Sequence, residues 1–175
     1  MSRDPQTEAA RAILRDNFER IRELVVASTD GLTPEMSGYR PGRDANSIAW
    51  LLWHLTRVQD DHVSDAAGAA QAWTSRGWLE RFDLPYPPGD IGYGQSSADV
   101  GAMHADAQLL ADYHGDVHLA TLEYVDELTD EELARIVDRR WDPPVTVSVR
   151  LVSVIGDCLQ HLGQVAYVRG LFESR

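Results

Sequence analysis

Four stretches of the chain repeat apolar residues at the three- and four-residue spacing that is typical of an amphipathic α-helix. They cover residues 5–28, 47–67, 97–128 and 151–172. The third stretch alone predicts a helix about 45 Å long, at the usual rise per residue. Four helices joined partly by long connections predict an all-α fold, a four-helix bundle, in a single domain over residues 1–175.

The connections between these helices carry signals of their own. Residues 68–95 are rich in glycine, proline and aromatic side chains, and Pro85, Pro87 and Pro88 exclude a helix where they cluster. A loop of this length is uncommon in a compact domain and is often functional. We therefore expect residues 73–93 to form a lid over a ligand or to close the end of the bundle.

Short elements are predicted from turn and capping chemistry. Alternating side chains over residues 145–149 predict a short extended segment before the last helix. A hydroxyl residue followed three positions later by an acidic one predicts a capping box, as in Ser96 with Asp99 and Thr129 with Glu132. The box at Thr129 begins a predicted short helix over 130–137. Asp4 is predicted to cap the first helix before Pro5, and residues 33–36 are predicted to start one short helical turn.

Composition narrows the class of protein. The chain has 175 residues, 43% of them hydrophobic, which is enough for a real core. Its net charge of −12 argues against a nucleic-acid or anionic-membrane partner, because phosphate binding needs clustered basic residues. A single cysteine, Cys158, excludes an intrachain disulfide. With neither a signal sequence nor a long apolar run, we expect a cytoplasmic protein.

His54 is the first candidate for chemistry. On a helical wheel it lies on the same side as Trp50, Leu51, Leu55 and Val58, so it points to the core. Such a residue is either a core histidine with one hydrogen-bonded nitrogen or a metal ligand, since neutral imidazole is the commonest protein ligand for zinc and similar ions. The residues alone leave both interpretations open.

Asp157 and His161 lie one helical turn apart, so their side chains point from the same side of the last helix. The wheel places Asp157 on the polar side and His161 at its edge. By themselves they predict a surface ion pair worth a few tenths of a kcal/mol; together with His54 they would form a three-ligand metal site. The apolar side opposite is predicted from Leu151, Ile155, Leu159, Leu162 and Ala166.

Two further features compete with that site. His114 and His118 also lie one turn apart, on an apolar helix face, and are either a partly buried pair or a second set of metal ligands. Cys158 points away from Asp157 toward the apolar side, which indicates a small buried side chain and not a nucleophile.

Several short motifs resemble those of the DinB/YfiT-like superfamily, in the same order and over nearly the whole chain. His161-Leu162-Gly163-Gln164, with residues 167–171, resembles its C-terminal motif, and residues 47–55 resemble its second-helix motif. Asp60-Asp61-His62 and Trp141-Asp142-Pro143-Pro144 are similar to an actinobacterial branch that includes mycothiol-dependent maleylpyruvate isomerase-like proteins and related domains of unknown function.

The resemblance implies an up-down-down-up bundle with a metal ion near one end. The superfamily's ligands are usually three histidines, one in the second helix and two in the last. His54 and His161 match two of them, and Asp157 stands in the third position, as an acidic residue does in the maleylpyruvate isomerase type. This set implies a divalent ion, zinc first, with nickel, iron or manganese as alternatives.

The resemblance also implies an enzyme that uses a low-molecular-weight thiol, mycothiol, in an S-transferase or isomerase-type reaction. Asp61 and His62 are candidates for orienting a ligand or relaying a proton, and Gln164 and Arg169 for contacting the cosubstrate. The expected partners are the thiol, an electrophilic substrate and a second copy of the chain in a homodimer. A metal-dependent hydrolase, or a non-catalytic bundle that binds a small ligand or partner, remains an alternative.

Overall fold

The computed structural model describes residues 5–175 and confirms the all-α fold. Four long helices form the bundle: α1 (Pro5–Thr29), α3 (Ile48–Ala67), α7 (Ala107–Glu127) and α9 (Val147–Glu173). The connections hold short helices and a small antiparallel pair of strands: α2 (Pro34–Gly38), α4 (Ala72–Ser75), α5 (Trp78–Phe82), α6 (Ser97–Gly101), α8 (Asp130–Ala134), β1 (Ile136–Asp138) and β2 (Val145–Thr146).

Contacts between α1 and α7 show that these two helices run in opposite directions. Near the start of α7, the carbonyl of Ala111 accepts a hydrogen bond from Arg22, which lies late in α1 (2.7 Å). Near the end of α7, Asp126 pairs with Arg15, which lies earlier in α1 (3.3 Å). Later residues of one helix therefore meet earlier residues of the other.

The remaining contacts complete the topology. Helices α3 and α9 are antiparallel, because His54 faces His161 while the later Gln59 contacts the earlier Cys158. Helices α1 and α9 end side by side, where Arg169 binds the carbonyl of Ser28.

Helices α3 and α7 run in parallel, since Arg57 bonds Tyr113 and the later Ala66 bonds Tyr124. The helix directions are therefore up, down, down and up, as expected.

The predicted helix over 97–128 is wrong in its continuity. It is divided into α6 and α7, and residues 102–106 between them are not helical. Asp106 accepts a hydrogen bond from the backbone N–H of Leu109 (2.7 Å) and so begins a new helix. Helix α7 is 21 residues long, which corresponds to about 32 Å. A strong N-cap inside a periodic stretch outweighed the periodicity.

Two boundaries near the last helix also differ from the prediction. The short helix predicted over 130–137 ends at Ala134, because residues 136–138 pair with β2. The extended segment predicted over 145–149 ends at Thr146, whose hydroxyl accepts the N–H of Val149 (3.4 Å) and caps α9. The alternation of side chains over 145–149 thus marks a helix start as well as a strand. The cap expected at Asp4 lies outside the described residues.

Helix α3 is buried on every side from Ser47 to Asp60. A helix in the wall of a four-helix bundle normally shows one polar face to water. Here the segment over residues 69–105 packs across that face, with Trp73, Phe82 and Tyr86 buried in the same core as Trp53. The loop predicted as a lid or plug is therefore mostly a second layer of core.

A buried polar group anchors this layer. The carboxylate of Asp60, only 2% exposed, accepts the backbone N–H groups of Ala72 and Trp73 at 2.8 Å each and the hydroxyl of Tyr113 at 2.9 Å. Arg57, fully buried, lies 3.5 Å from the same carboxylate. Because buried polar groups are costly without partners, this network holds the covering segment in one position on α3. No helix among residues 5–175 is both long and apolar enough to cross a membrane.

Candidate metal centre

His54 lies in this doubly covered part of α3 and is 2% exposed. Its ring stacks on Trp50 at 4.7 Å, one helical turn earlier. Its Nδ1 lies 2.5 Å from the carbonyl oxygen of Ile91. A carbonyl only accepts hydrogen bonds, so Nδ1 carries the proton and Nε2 is the nitrogen left for a metal ion.

The carbonyl of Ile91 belongs to a short loop, residues 90–95, which we call the strap. Asp90 closes it, since its carboxylate accepts the N–H of Gly92 (2.8 Å) and the side-chain amide of Gln95 (2.7 Å). The amide oxygen of Gln95 in turn accepts the indole N–H of Trp50 (2.7 Å). The strap therefore holds both the ring of His54 and the ring that stacks on it.

Gly92 lets the strap approach this closely. A Cβ atom on residue 92 would lie 2.6 Å from Nδ1 of His54 and 3.0 Å from the ring of Trp50. The residue also has a φ of +102°, which side chains disfavour. Only glycine therefore fits at position 92 of the strap, where the backbone lies against His54.

Helix α9 supplies the other half of the site. Asp157 and His161 lie 3.7 Å apart, and the amide oxygen of Gln164 lies 3.1 Å from Nδ1 of His161. That contact assigns the proton of His161 to Nδ1, as in His54. The rings of His54 and His161 are 4.7 Å apart across the two antiparallel helices.

The electrostatic environment of the two histidines differs. Burial lowers the pKa of His54 below its usual range, so this imidazole is neutral and ready to bind a cation. The pKa of His161 is raised, first by its hydrogen bond to Asp157. A metal ion must displace that proton to bind His161, so its affinity is expected to fall as the pH is lowered.

These residues fit a divalent ion. His54, Asp157 and His161 each place one ligand atom within 4.8 Å of the others. The second carboxylate oxygen of Asp157 is buried and has no hydrogen-bond partner among residues 5–175. A buried carboxylate oxygen without a partner is costly, and a cation at this position would remove that cost. Two imidazoles and a carboxylate are a common ligand set for Zn²⁺ and similar ions.

The prediction that Asp157 and His161 form a surface pair is wrong. Their side chains are 25% and 17% exposed and face the cleft toward α3. The apolar side of α9 was predicted correctly at Leu151, Ile155 and Leu162, which are buried. It was wrong at Leu159 and Ala166, which are exposed, and it left out the buried Val154 and Val165. The true core side is rotated around the helix, and this rotation brings the pair into the cleft.

Outside this centre, the structure buries His114 and Cys158 in the core and leaves His118 only partly buried. His114 is fully buried, and neither of its ring nitrogens has a partner among residues 5–175. Its ring lies 6.3 Å from that of His118, and within the described chain no third acidic or histidine ligand joins them. Cys158 is fully buried, as predicted, and burial raises the pKa of its thiol well above the usual range.

The other predicted site residues lie around the centre or beyond it. Asp61 and His62 form a pair at 3.2 Å on α3, after His54, and Asp61 also accepts a hydrogen bond from Gln71. Gln164 contacts His161 directly. Arg169 binds the carbonyls of Ser28 and Asp30 and the carboxylate of Glu173, so the structure gives it a structural contact at the end of the bundle.

Sequence reasoning missed the strap. Tyr93, at its tip, is 60% exposed and stands edge-on to His54 at 5.2 Å. Burial of its hydroxyl and then the charge of Asp157 raise the pKa of Tyr93. Gly92 and Gly94, both with positive φ, flank this aromatic residue. The two glycines on either side of Tyr93, and Trp50 one turn before His54, were the sequence features that could have indicated the strap.

This chain matches one sequence profile and is similar to a solved structure. A sequence profile described as mycothiol-S-transferase matches residues 13–174. A crystal structure described as a conserved protein from Enterococcus faecalis is similar, with a TM-score of 0.86 and 30% sequence identity, over 94% of this chain and 97% of that one. Among curated proteins, none matches the chain significantly.

Proposed function

The chain belongs to the mycothiol-S-transferase family, within the DinB/YfiT-like proteins, and from this premise we propose that it is a divalent-metal-dependent S-transferase. It would join the sulfur of mycothiol to an electrophilic carbon of a second small molecule. Zinc is the metal we expect first, because two imidazoles and a carboxylate suit it. The observation that carries the proposal is the cleft-facing group of His54, Asp157 and His161 with its unpartnered carboxylate oxygen.

A bound divalent ion would supply the positive charge that lowers the pKa of a coordinated thiol, so that thiolate is available at neutral pH. The chain's own contribution is to hold the three ligands in place. The Ile91 carbonyl keeps the proton of His54 on Nδ1, and Gln164 does the same for His161. Orientation of this kind typically changes metal affinity or activity by about 10- to 100-fold.

Asp61 and His62 are our candidates for accepting the proton that the thiol loses. They form a pair on α3, two helical turns after His54, and both side chains are partly exposed. The pKa of Asp61 is lowered, first by its hydrogen bond to His62, so Asp61 is ionised and can orient the imidazole. The sulfur–carbon bond then forms as the leaving group departs from the electrophile.

Substrate contacts are proposed for the exposed rim of the cleft. Tyr93 stands over His54 with most of its ring in solvent. Gln164 has an exposed amide beside His161. Arg169 is also a candidate for contacting the thiol's polar groups, although it now binds the carbonyls of Ser28 and Asp30 and the carboxylate of Glu173.

The test combines metal analysis with a thiol-transfer assay. Purified wild-type protein is loaded with Zn²⁺ and mixed with mycothiol and an aryl halide, and the S-aryl product is measured. We expect product formation to need both metal and mycothiol, and to be lost in His54→Ala. His114→Ala, which removes a buried histidine outside the centre, controls for a general effect on folding.

Two outcomes would contradict the proposal in different ways. Turnover of an ester or amide that needs the metal but no thiol would favour a hydrolase. Unchanged metal content in both His54→Ala and His161→Ala would show that the three residues do not form a metal site.

A further inference from the structure

The side chain of Gln71 is bound at both ends by residues of α3. Its amide oxygen accepts a hydrogen bond from Nη1 of Arg57 (3.0 Å), and its amide nitrogen donates one to Oδ1 of Asp61 (2.7 Å). Gln71 lies at the N-cap position of α4, yet its side chain makes no capping bond to that helix. Capping of α4 therefore does not account for this side chain, whose contacts lead instead to the pair of Asp61 and His62.

Arg57 fixes the direction of both hydrogen bonds. A guanidinium donates hydrogen bonds and accepts none. The end of Gln71 that faces Arg57 is therefore its oxygen, which leaves the NH₂ group for Asp61. A protonated Oδ1 would bring a second hydrogen into that contact, so Asp61 meets Gln71 as an ionised carboxylate.

The carboxylate of Asp61 in turn fixes the proton of His62. Its Oδ2 lies 3.2 Å from Nδ1 of the imidazole. Because a carboxylate only accepts hydrogen bonds, the proton at this contact belongs to Nδ1, and Nε2 keeps a free lone pair. A neutral histidine side chain in water favours the opposite arrangement, with its proton on Nε2. The contact therefore reverses the ordinary preference.

Arg57 contributes orientation more than stability. Its side chain is fully buried and lies 3.5 Å from Asp60, and its Nη2 has no partner among residues 5–175. A buried ion pair is weak evidence for stability, since apolar side chains of similar volume often replace one without loss. Burial does hold the guanidinium in one place, 4.8 Å from the ring of Trp73. It is a donor that neither rotates away nor loses its proton.

The same guanidinium also holds the strap. Its Nε donates a hydrogen bond to the carbonyl of Asp90 (3.2 Å). The next carbonyl along the chain, that of Ile91, keeps the proton of His54 on Nδ1. Arg57 therefore orients a metal ligand through one arm and a carboxylate–imidazole pair through the other.

We propose that Arg57 and Gln71 are positioning residues, which hold Asp61 so that Nε2 of His62 accepts the proton of the thiol. The S–H bond breaks with its electron pair left on sulfur, and an N–H bond forms on Nε2. Asp61 stabilises the resulting imidazolium, which then releases its proton to water. The proton transfer rests on the proposed function, but the position of the proton on His62 is a property of the protein alone. The two can therefore fail separately.

Gln71→Glu tests this arrangement with almost no change of shape. Glutamate still accepts from Arg57, but it cannot donate to Asp61 and repels it. In protein with added Zn²⁺, above the pH range where histidines titrate, ¹⁵N NMR shows which ring nitrogen carries the proton, and His62→Gln identifies the signals. We expect the Nδ1-protonated form of His62 to dominate in the wild type. Its ratio to the Nε2-protonated form should fall by about tenfold in Gln71→Glu, the effect of losing one hydrogen bond to a charged group.

Gln108→Glu is the matched control. Gln108 donates to the carboxylate of Asp112 at 2.7 Å on the exposed side of α7, so this change adds the same charge beside the same kind of group. It should leave the proton of His62 in place. In the transfer assay, kcat should fall by about tenfold or more in Gln71→Glu and stay unchanged in Gln108→Glu. Neither variant should bind Zn²⁺ less tightly than the wild type.

Arg57→Met removes both arms, so it should shift the proton of His62 and weaken Zn²⁺ binding together. If this buried change prevents folding, Gln71→Glu still tests the proposal. A wild-type His62 with its proton on Nε2, or an unchanged ratio in Gln71→Glu, would overturn it. A wild type that transfers no mycothiol but shows the expected NMR signals would count against the proposed function and support the positioning of His62.

Discussion

The chain contains two histidine groups that look alike in sequence and differ in the fold. His114 and His118 lie one turn apart on α7, and Asp157 and His161 lie one turn apart on α9. On α7, His114 is sealed in the core beside the partly buried His118, and no acidic residue among those described joins them. On α9, the pair faces a cleft where His54 meets it from α3.

The difference shows that spacing along one helix is a weak signal for a metal site. A site also needs a ligand from another element, a carboxylate to balance the cation, and partners that fix each imidazole. His54 has its carbonyl partner in the strap, whereas His114 has none for either nitrogen within residues 5–175. The group on α9 therefore has the features of a metal site, whereas the pair on α7 has those of histidines packed in or beside the core.

The largest expected difference between the groups is in metal binding. His161→Ala removes one ligand and should weaken binding of Zn²⁺ by at least about 100-fold, more than the loss of an outer hydrogen bond does. His118→Ala removes the second histidine of the α7 pair and should leave the affinity unchanged. Competition with a chromophoric chelator measures both. Equal Zn²⁺ affinities in His161→Ala and His118→Ala would show that the two histidine groups do not differ in metal binding.

The carboxylate can be tested without changing its shape. Asp157→Asn removes the negative charge of the ligand set and should weaken Zn²⁺ binding by about 10- to 100-fold. Asp112→Asn, at an exposed position on α7, is the matched control and should have no effect. The same chelator competition applies. An Asp157→Asn protein with wild-type affinity would mean that the two imidazoles bind the ion without this carboxylate.

The strap can be displaced while every ligand is kept. Gly92→Ala forces a Cβ atom against His54 and should lower metal affinity by about tenfold, because the imidazole loses its orientation. Gly94→Ala imposes a similar backbone strain, since Gly94 also has a positive φ, but its Cβ would meet no atom within 4 Å in the described chain. The two variants should therefore lose similar stability, and only the first should lose affinity.

The core character of His114 predicts a pH effect on stability. Burial lowers the pKa of His114 to about 3, whereas the pKa of a histidine in the unfolded chain is near 6.5. Below pH 6.5 the imidazole of His114 binds a proton in the unfolded state but stays neutral in the folded state. The free energy of unfolding should therefore fall by about 1.4 kcal/mol per pH unit from this residue, until the pH approaches the folded pKa.

Replacing this histidine should reduce that dependence. His114→Leu should flatten the fall in stability between the unfolded and folded pKa values, measured by urea unfolding at several pH values. His104→Leu, at an exposed position, should keep the wild-type slope. An unchanged slope in His114→Leu would show that this imidazole is not held neutral in the folded state.

The pattern of apolar residues was sufficient to predict four long helices, although the third was predicted too long, and short motifs were sufficient to predict the starts of the short helices α6 and α8. Ser96 and Thr129 cap helices as predicted, because capping depends on neighbours a few residues away. The break at 102–106 was not predicted, although Asp106 is a good cap, because local periodicity and local capping disagreed. The strap could not be placed, since its contacts with His54 and Trp50 join residues about forty positions apart.

By itself, the sequence determined that this protein is helical, acidic and equipped with His54, Asp157 and His161, and its motifs pointed to the family. Only the tertiary structure decided which side of α9 faces the core. Apolar residues on that helix occupy two sides, and a wheel cannot tell the side that packs against α3 and α1 from the side that stays exposed. Once packing of Val154, Cys158 and Leu162 sets the rotation, Asp157 and His161 face the cleft, and Gly163 and Gly170 face outward.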